Sequence, residues 1–454
     1  MYRYSLLVGV TLLVLVSLPA TPAVTQAQES LTLRECIDQA LMRNPMVLRS
    51  ERQLLQSGLQ TQRASASLLP SVSVSGSFSR YTSVSPQRLL NPNTNQIVEG
   101  SATANTSMSY YSGLSISQPL FNRSITSLYS QAVASEEISR AGTDLQHQQT
   151  ILQVYQAYYA LLRAARNLGV AQTDLDYNRE LLRQVTTLHS LGNRARVDVL
   201  RQESAIAQSE QRLIAAENNL AKGKAELNYL MGRSPTGELE IVDDLGYEPQ
   251  EAEIETALER ALRDHPSLRQ ALLGVTVAET GLQSARAARF PTMNLSGNYS
   301  WRGDSYTNFT DAFSKDYTWS VGVGLYVPIF DRMQTKLNVQ RAQIDLEGAQ
   351  LDREAAELSV ERDVHIAVLD LQEAEQMLQT SRRAVDLSRE ALRLSEERYS
   401  LGAGSLLEVN SSQYDLINAQ YLEVQALFTL KVATAGLEFA MGRLATGTIP
   451  GAVP

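Results

Sequence analysis

Four segments of the chain alternate between apolar residues and small polar residues: 71–81, 102–117, 292–302 and 317–327. A period of two predicts β-strands, because successive side chains of a strand point to opposite faces. The polar faces carry mostly Ser, Thr, Asn and Gly, with few charged residues. Each segment has the roughly ten residues with which a tilted strand crosses a bilayer. The pattern favours two membrane-facing hairpins, although an ordinary amphipathic sheet alternates in the same way.

Both tryptophans of the chain fall on the predicted apolar face of the second hairpin. Tryptophan is enriched where a membrane protein crosses the boundary between lipid and water. We therefore predict that Trp301 and Trp319 are lipid-interface aromatics. The polar connections within the two hairpins, residues 82–101 and 302–316, are predicted to face the exterior.

A long proline-free segment with coiled-coil periodicity follows each pair of strands, at residues 120–189 and 329–399. Seam positions alternate by three and four residues, which is the 3.5-residue period of a coiled coil. The first predicted seam includes Leu161, Leu168, Leu175, Arg179 and Leu182, and the second includes Val364, Leu371, Leu378, Val385 and Leu392. Each segment predicts a rod of roughly 100 Å. Shorter helices, residues 197–231 and 405–441, are predicted to return along the rods.

The two halves of the chain repeat the same landmarks in the same order. The matches are Asn44-Pro45 with His265-Pro266, Pro119-Leu120-Phe121-Asn122-Arg123 with Pro328-Ile329-Phe330-Asp331-Arg332, Ser190-Leu191-Gly192 with Ser400-Leu401-Gly402, and Met231-Gly232-Arg233 with Met441-Gly442-Arg443. Chance similarity between apolar segments would not also preserve Pro and Gly, so the chain is predicted to be an internal duplication. The repeats are residues 28–233 and 234–454. Residues 30–44, 234–265 and 443–454 are predicted to form an equatorial group where shorter helices meet end to end.

The first 27 residues have the features of an export signal. Arg3 precedes an apolar run from Leu6 to Leu18, and small residues follow up to Ala27. The run is too short for a spanning helix, so we predict that residues 1–27 are removed, with Ala23 as the alternative cleavage site. No later segment offers 18 consecutive apolar residues. An exported chain of this kind is soluble, peripheral or a membrane β-barrel.

Composition argues against several classes of function. The formal net charge is −9, whereas a general nucleic-acid binder needs a basic face. The single cysteine, Cys36, rules out a disulfide framework, and we expect a half-buried helical thiol. The four histidines form no pair with metal-ligand spacing. No phosphate-binding loop, dinucleotide fingerprint or nucleophile motif is present. We therefore predict no enzyme, no cofactor and no bound metal.

Four membrane strands cannot close on themselves. An open sheet edge is not tolerated within lipid, and the smallest membrane barrels have eight strands. The chain is therefore predicted to oligomerise, with each copy contributing two hairpins and its set of coiled helices.

In this order the landmarks resemble the outer-membrane efflux (TolC-like) family, over essentially the whole mature chain. The resemblance implies a mainly α fold with membrane β-strands, in a homotrimer whose shared 12-stranded barrel continues into a long periplasmic α-helical tunnel. It implies an outer-membrane channel, the passive exit duct of a tripartite efflux or type I secretion system. The implied partners are a periplasmic adaptor protein, an inner-membrane pump and outer-membrane lipid. The cargo stays open between a drug, a metal ion and a polypeptide.

The resemblance also directs attention to the two tips between long and returning helices, residues 190–196 and 400–404. In the family the tips contact the adaptor, which here implies Leu191, Gly192, Leu401 and Gly402. Both glycines suit the left-handed cap that ends a helix in a sharp turn.

Acidic residues just after the tips narrow the tunnel entrance in the family, and Asp198 and Glu408 occupy the matching positions. Arg194, Arg196 and Tyr399 complete the predicted entrance. The chain departs from the pattern at Ser411, where a second acid often stands, and at Gly404, where an Arg often reaches the first repeat's Asp. We therefore hypothesise that Arg194 pairs with Glu408, with the roles of the two repeats exchanged.

The sequence also allows two alternatives in which the protein is structural and not a channel. One is a trimeric structural coiled-coil protein or adhesin anchored in the outer membrane, which does not require paired strands in both halves. The other is a periplasmic coiled-coil scaffold, which would be extracted without detergent.

Overall fold

The computed structural model describes residues 30–90, 92, 94, 96–243, 253–303 and 317–444 and shows long helices with one small sheet. Within these residues, eight helices and four strands follow in the order α1 Leu33–Arg43, α2 Pro45–Ala66, β1 Ser71–Leu90, β2 Ile97–Phe121, α3 Arg123–Ser190, α4 Arg196–Leu230, α5 Ile254–Asp264, α6 Pro266–Ala287, β3 Thr292–Gly303, β4 Tyr317–Tyr326, α7 Gln334–Ser400 and α8 Leu406–Ala440. The predicted fold class is confirmed. The predicted signal segment, the connection 304–316 and residues 445–454 lie outside the described residues.

The duplication is exact in helix length for the shorter helices. Both α2 and α6 have 22 residues, and both α4 and α8 have 35. The long helices α3 and α7 have 68 and 67 residues, so each is a rod of about 100 Å. The repeat inferred from scattered Pro and Gly landmarks therefore extends to the architecture of each half.

The first hairpin is longer than predicted. Pairing between β1 and β2 continues to Leu90 opposite Ile97, so the prediction of a loop over residues 82–101 is wrong. Pro86 and its neighbours break the strict alternation that marked the strand in the sequence, and the register shifts there without ending the ladder. A register shift of this kind is a β-bulge, which a strand can absorb.

The long helices also begin later than predicted. Strand β2 runs through Phe121, and the Asn122 side chain then accepts a hydrogen bond from the backbone N–H of Ser124 as the cap of α3. Before α7, Arg332 and Met333 have φ of 54° and 68°. Left-handed residues interrupt a helix, so α7 starts at Gln334 and not at 329.

The sheet is antiparallel with the strand order β1-β2-β3-β4. Valines, leucines and aromatics share one face, and many of them are exposed: Val72, Val74, Phe78, Trp319, Val321, Val323 and Leu325. The other face is lined by hydroxyl groups that bond across the strands, such as Ser73 with Ser115 and Ser79 with Ser109, both at 2.7 Å between oxygens. Residues of both faces are exposed in β1 and β4, and the apolar face is the one expected to border lipid.

Shorter helices flank each long helix in end-to-end pairs, with two pairs beside α3 and one pair beside α7. Helix α3 packs against α2 and α6 in the half nearest the sheet and against α4 and α8 in the half nearest the tips. Helix α7 packs against α6 and then α8 in the same way. The second coiled-coil seam is confirmed, because Val364, Leu371, Leu378, Val385 and Leu392 are all buried.

The end-to-end junctions of the short helices explain the repeated Pro and Gly motifs. Asn44 caps α2 through Met46 N–H, and its amide donates to Leu230 O at 2.9 Å, which ties α2 to the end of α4. Gly232 follows α4 with φ of 69°, and a Cβ there would lie 2.6 Å from Arg43 O. Only glycine meets both demands.

The second repeat builds the same junction from different polar groups. His265 caps α6 through Ser267 N–H, and Gly442 follows α8 with φ of 71°. A Cβ on Gly442 would lie 2.7 Å from the Cα of His265. The prediction that short helices stack end to end beside each long helix is therefore confirmed.

A group of short elements, which we call the belt, packs against α3 and α7 near these junctions. It consists of α1, α5 and the two short segments that pair at Leu31 and Ile241. Cys36 on α1 is completely buried against α3, not half-buried as predicted, and burial raises the pKa of its thiol to about 12. Tyr158 also packs in this cluster, and its hydroxyl donates to Val242 O at 2.6 Å. These groups stabilise the belt and are not exposed to a pore.

A buried polar cluster interrupts the predicted seam in the tip-side third of α3. The seam passes through Asp174 and Asn178, whereas Arg179 is exposed. The Asp174 carboxylate accepts hydrogen bonds from Arg212 Nη2 at 2.6 Å and Ser209 Oγ at 2.7 Å, both on α4. Gln413 on α8 also donates to Asp174, at 3.3 Å. The cluster therefore links α3, α4 and α8 at one level.

Removing the positive partner of Asp174 should destabilise the protein strongly. Arg212→Met leaves a carboxylate buried without its cation, which costs about 3–5 kcal/mol. The matched control is Arg179→Met, which removes the exposed pair of Arg179 with Glu210 on the same two helices and should cost about 0–1 kcal/mol. Urea denaturation followed by circular dichroism measures both. Equal effects of the two changes would contradict the role assigned to the cluster.

Candidate entrance at the helical tips

Both tips are sharp turns closed by backbone hydrogen bonds. Gly192 and Gly402 have φ of 78° and 75°. Asn193 N–H donates to Leu188 O and Ala403 N–H donates to Arg398 O, each at 2.9 Å. This is the Schellman arrangement, in which a left-handed glycine lets the chain leave a helix abruptly. The tips predicted at residues 190–196 and 400–404 therefore lie between α3 and α4 and between α7 and α8.

Each tip presents an exposed leucine directly before its glycine. Leu191 is 68% exposed and Leu401 is 77% exposed. Val197, Leu200 and Leu407 on the following turns are also exposed. A group of exposed apolar side chains at the end of a rod is a candidate surface for a protein partner.

Arg194 of the first tip contacts Tyr399 at the second. Its Nη2 donates to Tyr399 O at 2.9 Å, and its guanidinium carbon lies 4.1 Å from the centroid of the Tyr399 ring. The backbone of Arg194 is held in turn, because its carbonyl lies 2.8 Å from His189 Nδ1. We call the Arg194–Tyr399 interaction the tip contact. It combines a charge-assisted hydrogen bond with a cation–π interaction.

The hypothesis that Arg194 pairs with Glu408 does not hold within one protomer. Glu408 lies in the first turn of α8, where its N–H donates to the Ser405 side chain and its carboxylate lies 3.9 Å from Arg398. Arg194 instead turns towards the ring that ends α7. The physical reason is that Tyr399 offers both a carbonyl and a π face to the same guanidinium.

The remaining predicted entrance residues lie at the start of α4. Arg196 is exposed at the first position of the helix. Asp198 is partly buried in the first turn, and its carboxylate lies 3.8 Å from Arg201. A carboxylate at this position is stabilised by the helix dipole. Asp198 and Glu408 are therefore equivalent acids, one in the first turn of each returning helix.

Among the entrance and tip residues predicted from the sequence, Tyr399 is the most buried. It is 7% exposed, and burial raises the pKa of its hydroxyl. Among the described residues, no hydrogen-bond partner reaches this hydroxyl. It lines a groove of about 1090 Å³ between the ends of α3 and α7.

A second bridge across this groove was not predicted. Tyr177 on α3 donates from its hydroxyl to Glu396 on α7 at 2.7 Å. Neither residue stands out in the sequence, because Tyr177 lies beside the seam and Glu396 lies among other charged residues. The tip contact and this bridge together hold the two coils against each other near the entrance.

The two tryptophans differ in exposure, although both lie on the apolar face of the sheet. Trp319 is 66% exposed, as predicted for a lipid-interface residue, whereas Trp301 is 6% exposed. The indole of Trp301 lies over Gly303, where an added Cβ would come within 2.4 Å of Cζ2. Trp301 is therefore covered within the protomer, which the alternation pattern does not reveal.

Two absences concern the described parts of the chain. None of the helices there is both long and apolar enough for a transmembrane span. No group of three or more His, Cys, Asp or Glu residues there could hold a metal ion.

A family model described as "Outer membrane efflux protein" matches residues 36–233 and 257–443. The alkaline protease secretion protein AprF of Pseudomonas aeruginosa is 28% identical over 52% of this chain and 49% of its own length. The pyoverdine export outer membrane protein OpmQ of the same organism is 25% identical over 69% and 64%. The chain thus spans about half to two thirds of the length of these curated relatives.

The fold also matches solved structures. The Campylobacter jejuni CmeC outer membrane channel superposes with a TM-score of 0.77 at 16% identity, over 90% of this chain and 85% of that one. At this identity the match shows a shared fold. The two halves of the family match coincide with the two structural repeats, so fold and sequence comparison agree on the duplication.

Proposed function

Because this chain belongs to the outer membrane efflux protein family, we propose that it is the passive exit duct of a tripartite efflux or type I secretion system. Its barrel strands lie in the outer membrane and its helices form a tunnel in the periplasm. The observation that carries the proposal is the union of an outward apolar sheet with helical rods of about 100 Å in one chain. The proposal assigns no catalytic residue, cofactor or resident metal to the chain.

The duct is a homotrimer in this proposal. Strands β1 and β4 each have one neighbour among the described strands, so both edges of the sheet are open. Two copies would give eight strands and three copies twelve, and we adopt three from the resemblance to the family. Closing the ring removes every open edge from lipid.

The helices carry a matching interface. Helix α7 exposes a leucine or isoleucine at every seventh position over its first half: Leu337, Ile344, Leu351 and Leu358. A heptad stripe is the signature of a coiled-coil partner. Helix α2, at the other edge of the same row, exposes Leu48, Leu55 and Leu59. The proposed occupant of the α7 stripe is α2 of the next copy.

The proposed partners are a periplasmic adaptor protein and an inner-membrane pump. The exposed leucines at the tips, Leu191 and Leu401, support a protein contact at the end of the tunnel. The names of the relatives do not define one cargo, because one refers to secretion of a protease and another to export of pyoverdine. The proposal therefore concerns the conduit only. The class of cargo has to be inferred from the residues that line the tunnel.

In the proposed mechanism the tip contact biases the entrance towards its closed state. Arg194 is partly exposed and Tyr399 is buried, so their cation–π contact contributes about 0.5–2 kcal/mol, and three copies would bias the entrance without sealing it. An adaptor could then open the tips with modest binding energy. Three Glu408 carboxylates around a narrow axis would favour cations, because their fields add.

Charged substitutions on the two faces of β4 should have different effects. Val323 points to the apolar face and Ser320 to the hydroxyl face. Val323→Arg should cost about 2–4 kcal/mol if it lies near the middle of the membrane, whereas Ser320→Arg should cost less because it faces the lumen. Heat stability of the oligomer on semi-native gels measures both. Equal losses would contradict the assignment of the lipid face.

Single-channel recording in planar bilayers tests the duct and its entrance. The wild type should form channels with a low resting conductance and a preference for cations. Arg194→Ala should raise the conductance and keep the preference, and Glu408→Gln should weaken the preference. Arg183→Ala is the control, because Arg183 lies on α3 in an exposed pair with Glu180. An unchanged conductance in Arg194→Ala would show that the tip contact does not hold the entrance.

A further inference from the structure

A second groove lies far from the tips, at the level of the belt. It has a volume of about 910 Å³ and runs between α3 and α7, with α8 along its base. The base presents Phe428 and Phe439, and the α7 wall presents Ile366 and Met377. A volume of this size suits a drug-sized molecule. We call it the equatorial groove.

The equatorial groove opens on the side of the helices opposite the belt. Val364 and Val368 of α7 pack in the cluster that contains α5 of the belt. Ile366 and Asp370, which line the groove, each follow one of these valines by two residues, or about 200° around the helix. In the proposed ring we place the bulk of the belt on the outside, because the inside must leave room for the tunnel. In the trimer proposed above, on which this inference rests, the equatorial groove therefore faces the tunnel.

Negative charge lines the α7 wall of this groove. Asp370 and Glu373 are exposed there, and neither forms an ion pair with any described residue. Asp363 also lines the groove, but its carboxylate lies 2.6 Å from Arg362. His265 stands at one end, and burial lowers the pKa of its imidazole, which favours the neutral form. The uncompensated charge of the groove is negative.

The nearest basic side chains line a neighbouring groove, and one of them stands at the boundary between the two grooves. Arg163, Arg212 and Lys222 line a separate depression between α3 and α4. Arg163 stands at the boundary, with its guanidinium carbon 4.4 Å from the centroid of the Phe428 ring. Arg163 therefore covers one face of the Phe428 ring, so a ligand would contact the remaining surface of this ring.

We propose that the equatorial groove is a transit site for amphipathic organic cations, three per trimer. The apolar body of such a molecule would lie on Phe428, Phe439, Ile366 and Met377, and its charged nitrogen would face Asp370 and Glu373. Apolar contact gives most of the binding free energy, and the carboxylates select the sign of the charge. Binding is weak, because a conduit must also release what it binds.

Fluorescence polarisation with the purified protein in lipid nanodiscs tests this assignment. The probe is rhodamine 6G, a flat cationic dye, and fluorescein is the anionic comparison. The wild type should bind rhodamine 6G saturably and fluorescein much more weakly. The double change Asp370→Asn with Glu373→Gln should weaken rhodamine binding about threefold to tenfold, since each partly exposed carboxylate contributes a modest amount. Met377→Lys, at an exposed position of the wall, should weaken it further.

The control is Glu361→Gln, which removes one exposed carboxylate from α7 outside the groove. It should leave the affinity unchanged. Equal affinity in the wild type and the double variant, or an equal loss in Glu361→Gln, would overturn the proposal. Recording the same preparations in planar bilayers separates the two claims. Channels without selective dye binding reject only the transit site, and a wild type that forms no channels rejects the duct itself.

Discussion

The open edges of the four-stranded sheet are the constraint on which the architecture depends. Backbone groups at a sheet edge have no water to bond in lipid, and each would cost several kcal/mol if left unpaired. Strands β1 and β4 are such edges. One face of the sheet is apolar and the other carries hydroxyl groups, so the proposed duct requires the protomer to be one segment of a larger closed wall. The helices also need a neighbouring copy at each edge. The outermost helices of the row, α2 and α7, expose apolar stripes there.

Each long helix needs packing partners along its whole length, and pairs of shorter helices supply them in both repeats. A rod of 68 residues needs a partner along its whole length, yet each returning helix has only 35. The 22-residue helices complete the row, and the two glycine junctions bring the ends together closely enough to keep it continuous. The belt packs beside these junctions. The equatorial groove opens at the same height along the rods. Junction and groove are consequences of one arrangement.

Much of this fold follows from local patterns in the sequence. The Asn44-Pro45 and His265-Pro266 pairs are helix caps, and Gly232 and Gly442 are the glycines that approach them. The tips were predicted for a similar reason, because Ser-Leu-Gly after a long helix requires a left-handed turn.

Other features depend on which surfaces meet in space, and a single sequence does not show that. Arg194 contacts Tyr399 and not Glu408, because the ring at the end of α7 lies nearer than the first turn of α8. Asp174 was missed as a seam residue because the predicted spacing ran from Leu175 to Arg179, and the sequence does not show that Arg212 on another helix compensates a buried carboxylate. Trp301 was expected in lipid and instead lies over Gly303.

The number of copies in the closed wall is the most direct test of this account. Native mass spectrometry of the protein extracted in mild detergent measures it without any substitution. The account predicts one complex of three chains, each with the 50.1 kDa mass of the full sequence less any removed signal segment. A stable monomer under these conditions would leave β1 and β4 open and contradict the account, and so would a chain extracted without detergent.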